Sequence, residues 1–124
     1  MTLEPRRQFQ EVFDELRTLS RSDKIQFLEY LLFYFTIAGR GIWSDDQLSD
    51  SEKIEAFKWL NELTHRVWNI QFDLQREEDD DSIVRLYENM KFYSEQSKTL
   101  GSHLFPTTIL AFESFEKKRS DRKD

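Results

Sequence analysis

The stretch from Asp50 to Gln75 contains neither glycine nor proline and repeats its apolar residues at helical spacing. Ala56, Leu60, Leu63, Val67, Ile70 and Leu74 alternate four and three positions apart, the interval that stacks side chains on one face of a helix. Ser49-Asp50-Ser51-Glu52 opens the stretch and fits a capping box, with Ser49 as cap and Glu52 three residues on. A single long helix is therefore expected from about Asp50 to Gln75. No run in the chain alternates apolar and polar residues over strand length, and only three Gly and two Pro punctuate the sequence. The remainder reads as helix as well.

The first helix is expected from about Pro5 to Leu19, where Phe9, Val12, Phe13, Leu16 and Leu19 form one apolar stripe. The second runs from about Asp23 to Ala38 and is apolar around most of its circumference, which suits the middle of a fold. Gly39 and Gly41 are natural helix stops, so residues 40–48 are expected to form a loop. After the long helix, the acidic run Glu77-Glu78-Asp79-Asp80-Asp81 reads as a solvated break that complements the start of a fourth helix, about Ser82 to Ser97. Gly101 closes that region, and a fifth helix runs from Phe105 or Pro106 to about Lys118. Short connections between amphipathic helices favour antiparallel neighbours. The expected architecture is an all-α four- or five-helix bundle, a single domain over residues 1–118, with a charged, frayed tail at 119–124.

With 124 residues the chain is long enough to build one hydrophobic core without metals or disulfides. It has no cysteine, which excludes disulfides and thiolate metal sites and suits a reducing compartment. The most apolar run, Ile25 to Ala38, is too short to span a bilayer, and no signal segment opens the sequence, so a cytoplasmic location without membrane contact is expected. The net charge of −6 argues against general nucleic-acid binding, which needs a basic face. Eleven Phe, four Tyr and three Trp are many rings to bury, and they point to an interface with another protein or a second copy of the chain.

The long helix carries a second seam: Ile54, Asn61, His65, Trp68 and Phe72. Its middle is polar, and Lys58, Glu62, Arg66 and Asn69 flank it on one side. Such a seam packs on another helix of the chain or on a partner. In the first case Asn61 and His65 are partly buried and need hydrogen-bond partners. Glu29 and Thr36 lie among apolar neighbours on the second helix, so an internal polar cluster joining Glu29 to His65 or Arg66 is one expectation. Its role is either to set helix register or to form a site. The loop segment Gly39-Arg40-Gly41-Ile42-Trp43 is the other candidate, because Arg and Trp dominate binding hot spots. Against that, Ile42 and Trp43 can simply fold down to seal the bundle end. The candidate binding residues are thus Arg40, Trp43, Asn61, Glu62, His65 and Arg66.

Motifs for chemistry are sparse. Glu62-Leu63-Thr64-His65 has the spacing of a carboxylate-bridged di-iron ligand pair, but such a site needs the motif twice, and Leu100 stands where His103 would need its Glu. No nucleophile elbow, P-loop or dinucleotide fingerprint occurs. Helical RNA-cleaving toxin domains place Arg four to six residues before His, and neither histidine here has one. No catalytic residue, metal or cofactor is expected. The basic residues Lys117, Lys118, Arg119, Arg122 and Lys123 suit a helix C-terminus or an acidic partner.

Thr36-Ile37-Ala38-Gly39-Arg40, Ser51-Glu52-Lys53-Ile54, Lys58-Trp59-Leu60-Asn61-Glu62 and His65-Arg66 together resemble a group of short, uncharacterised bacterial all-helical proteins. The resemblance covers roughly residues 20–70, about two fifths of the chain. It implies a bacterial, cytoplasmic setting and carries over no site residue. Two functions remain open. One is a non-enzymatic interaction or regulatory module, with antitoxins and immunity proteins as the analogy for a small, acidic, helical chain. The other is a small enzyme or ligand-binding bundle with an internal pocket around Glu29, Glu62, His65 and Arg66.

Overall fold

The computed structural model describes residues 8–76 and 81–121, the Asp121 side chain excepted. Five helices follow one another: α1 (Phe9–Leu16), α2 (Arg21–Trp43), α3 (Asp50–Gln75), α4 (Ser82–Gln96) and α5 (Lys98–Asp121). No strand occurs among the described residues. The chain is an all-α, five-helix single domain, as its periodicity implies.

α3 begins and ends where the sequence places it. Both halves of its capping box form: the Ser49 amide donates to Glu52 Oε1 at 2.9 Å, and the Glu52 amide donates to Ser49 Oγ at 3.2 Å. The first seam is buried along its whole length, with Ala56, Leu63, Val67 and Ile70 fully inaccessible. α2, α3, α4 and α5 form a ring in chain order, with α5 closing back onto α2. Neighbours run antiparallel. Gln71 of α3 reaches the Ile25 carbonyl at the start of α2, while Gly39 near the end of α2 meets Phe57 and Leu60. α1 lies across α4 and α5, where Phe9 stacks edge-on to Phe105 at 4.5 Å and Phe13 to Tyr87 at 5.1 Å. Phe27, Phe112 and Phe115 form an aromatic knot between α2 and α5.

Several expected boundaries move. α2 starts at Arg21, capped by Ser20, whose Oγ accepts from the Asp23 amide, and it runs straight through Gly39 and Gly41 to Trp43. The expected loop at 40–43 is therefore helix. Ile42 is fully buried, and Gly39 meets the Phe57 ring across the α2–α3 contact, so tertiary packing outweighs the local cost of glycine, about 1 kcal/mol.

α5 likewise begins at Lys98, with Gly101 and Pro106 inside it. Ser97 alone separates α4 from α5: its Oγ accepts from the Leu100 amide and its carbonyl from the Gly101 amide. This sharp corner brings the chain so close to α4 that a Cβ at Gly101 would stand 2.8 Å from the Ser94 carbonyl oxygen. Pro106 cannot donate to the Ser102 carbonyl, but both residues lie on the exposed side of α5, where solvent can replace that bond.

α5 continues past Lys118 to Asp121, and Arg119 pairs with Asp23 of α2 at 3.5 Å. Pro5, most of the acidic run (Glu77 to Asp80) and residues 122–124 lie outside the described residues; Asp81 is the N-cap of α4.

Leu63 sits at the centre of the buried seam. Leu63→Ala should lower unfolding free energy by about 2–5 kcal/mol in chemical denaturation, and a loss under about 1 kcal/mol would mean the seam is not the core.

Hydrogen bonds from the Ser49 amide and hydroxyl hold the Glu52 carboxyl below the usual carboxylate range. A carboxyl whose pKa is depressed on folding stabilises the fold above its unfolded pKa and loses that contribution as pH falls through the folded value. Glu52→Gln keeps a side chain able to accept from the Ser49 amide but cannot ionise. The stability advantage of wild type over Glu52→Gln should shrink as urea midpoints are followed from neutral pH to below the usual carboxylate range. A difference independent of pH would show that the charge is irrelevant to the cap.

Candidate functional site

A four-helix ring gives α3 two flanking neighbours. On one flank, Gln71 donates to the α2 backbone and Phe57 packs near Gly39. On the other, Asp73 pairs with Arg85 of α4 at 2.9 Å and Trp59 packs beside Tyr93. The second seam falls outside the ring, on the α2 side. Ile54 is 62% exposed, Trp68 59% and Phe72 56%, and Asn61 and His65 are exposed with them. The expectation that Asn61 and His65 are partly buried is corrected accordingly, because no other helix among the described residues covers this face.

The internal polar cluster is corrected for the same reason. Glu29 and Thr36 both lie on the exposed side of α2, which turns Phe27, Leu28, Leu31, Phe35 and Ile42 to the core. Arg66 points the opposite way, toward α4, where its Nε donates to the Tyr93 hydroxyl at 3.5 Å. That hydroxyl raises the guanidinium above its usual pKa. Glu62 is exposed between the two sides. Glu29, Glu62, His65 and Arg66 therefore share no internal pocket.

Three of the candidate residues do come together. Arg40, Trp43 and Asn61 line an open groove of about 630 Å3 between α2 and α3. Leu32, Phe35, Thr36 and Gly39 complete its α2 wall, and Phe57, Leu60 and Thr64 its α3 wall. Trp43 is 59% exposed rather than folded over the bundle end; its ring meets Phe57 edge-on at 5.5 Å, and Lys53 Nζ lies 5.9 Å from its centroid. Two of the groove's hydroxyls are turned onto their own helices: Thr64 Oγ1 donates to the Leu60 carbonyl at 2.8 Å and Ser44 Oγ to the Arg40 carbonyl at 2.7 Å. What remains is a largely apolar trough lined also by Thr36, Arg40 and Asn61.

Among the described residues no three His, Asp or Glu side chains are placed to hold a metal ion, and no helix is long and apolar enough to cross a membrane. Reading Gly39 as a stop hid the groove's α2 wall, although Phe35, Ala38, Gly39 and Ile42 continue the three-and-four spacing of α2 and carried the signal. Compared with protein families, curated proteins and solved structures, the chain finds no match.

An exposed His65 without a buried partner contributes little to folding. His65→Ala should leave the denaturation midpoint almost unchanged, within about 0.5 kcal/mol. A loss above about 1 kcal/mol would place the imidazole in a structural contact.

Proposed function

We propose that this chain is a non-enzymatic protein-interaction module that binds through the α2–α3 face. The observation that carries this reading is the run of large apolar side chains left in solvent along that face. Ile54, Trp68 and Phe72 are exposed on one stripe of α3, and Trp43 stands at the far end of the groove. Isolated exposed apolar residues are ordinary, but several large ones beside an apolar trough are the mark of an interaction surface. Trp and Arg, the residues that most often anchor interfaces, both lie at this groove.

The absence of converging acid, base or nucleophile side chains at the groove supports binding over catalysis. By analogy an antitoxin- or immunity-type role in a bacterial cytoplasm suits a small, acidic, helical chain of this kind.

The test is capture from an extract of the source cells with tagged wild-type chain and with a Trp43→Ala/Trp68→Ala variant. Both rings are more than half exposed, so the variant should keep its helical circular dichroism and denaturation midpoint. It should lose at least about tenfold in affinity for the captured protein, the scale of one interface anchor. Undiminished capture by a folded variant would remove the α2–α3 face as the binding surface.

A further inference from the structure

Resting on the interaction function above, we infer that the α2–α3 face is covered by a second copy of this chain, docked antiparallel along α3 about a two-fold axis at Asn61. The large apolar residues nearest Asn61 on the outward stripe of α3 are evenly placed about it: Ile54 and Trp68 stand seven positions to either side. Eleven positions away stand Asp50 on one side and Phe72 on the other. An antiparallel pair centred there sets Ile54 against the partner's Trp68 and Phe72 against the partner's Asp50. Asn61 meets the partner's Asn61. A side-chain amide carries both donors and an acceptor, so two of them facing across an axis can satisfy each other. An asparagine within a helix seam is also a known device for setting register.

Charge selects the antiparallel direction. Asp50 opens α3, and Arg76 follows its last turn, with the guanidinium 5.3 Å from the Phe72 ring centroid. Antiparallel docking sets each Asp50 opposite the partner's Phe72, against whose ring the Arg76 guanidinium lies, at both ends of the contact. Parallel docking would set aspartate on aspartate and arginine on arginine, and would align the two helix dipoles side by side. The same arrangement gives the groove an occupant. Ile54 lies at the end of α3 where Trp43 and Phe57 wall the trough. The partner's Trp68, arriving opposite Ile54, is therefore delivered to its mouth. Each copy offers one ring and one groove, so the contact is reciprocal and closes at two copies.

The chain contains no cysteine, so a single introduced thiol reports its own neighbours. Asn61→Cys should form a disulfide-linked dimer under mild oxidation, because a residue on the axis meets its own copy within disulfide reach. Glu95→Cys, exposed on α4, should not. Sedimentation of the purified wild-type chain should show a dimer. Asp50→Arg should weaken it by about tenfold through two lost end pairs, and Asp50→Arg combined with Arg76→Asp should restore it. Circular dichroism verifies that each variant is folded at the concentrations compared.

A monomer at every accessible concentration, or failure of the double reversal to restore what the single one removed, would overturn the antiparallel pair. If the chain is monomeric yet still captures a different protein in a manner that depends on Trp43 and Trp68, the second copy is excluded and the interaction function stands. If it is monomeric and captures nothing through those rings, both fall.

Discussion

Gly39 lets α2 and α3 lie close together. A Cβ at this position would stand 3.3 Å from Phe57 Cε1 and 3.5 Å from Leu60 Cδ2, so even alanine would ask the Phe57 ring to give by a few tenths of an ångström. The missing side chain has a second effect. Gly39 lines the groove between the two helices, and the trough exists partly because nothing projects from this turn of α2. Gly41, on the side of α2 that faces α5, makes no comparable demand, since its nearest neighbour would be an ordinary 3.6 Å away on the His103 ring.

The rest of the bundle follows from α2 packing on two sides. Toward α5 it buries Phe27 against Phe112 and Phe115, and Tyr34 exchanges a 2.6 Å hydrogen bond with Ser114. Toward α3 it lays down Gly39 and the groove. Polar groups in the interior are few and mostly tied to their own helices, as Thr108 is to the Leu104 carbonyl. Ser82 Oγ is buried with no hydrogen-bond partner among the described residues. On the outer surface large apolar residues are left exposed on α2, α3, α4 and α5, with Trp43, Ile54, Trp68 and Phe72 on the α2–α3 side.

Helix α3 was legible because its signals are local. A cap depends on residues three positions apart, and a seam depends on spacing that one helix displays by itself. The glycines and the proline misled for the opposite reason. Their local tendency is to end helices, but the outcome at Gly39, Gly101 and Pro106 was set by what faces them: the Phe57 ring, the Ser94 carbonyl and the exposed side of α5. The candidate site divided along the same line. Arg40 and Trp43 were found by residue type and Asn61 by its seam, while Leu32 and Phe57 entered the groove only once α2 and α3 were placed side by side.

By itself the sequence determined that this chain is all helix, where its longest helix begins and ends, and which seam of that helix carries the core. Those features rest on backbone periodicity and on hydrogen bonds within a single turn. Tertiary structure alone decided whether the second apolar seam is covered as well. Once α2 and α4 flank α3 in a closed ring, the seam of Leu60, Leu63 and Val67 faces inward, and that of Ile54, Trp68 and Phe72 is left outside. Burial is a property of what lies opposite a side chain, and spacing along one helix cannot contain it.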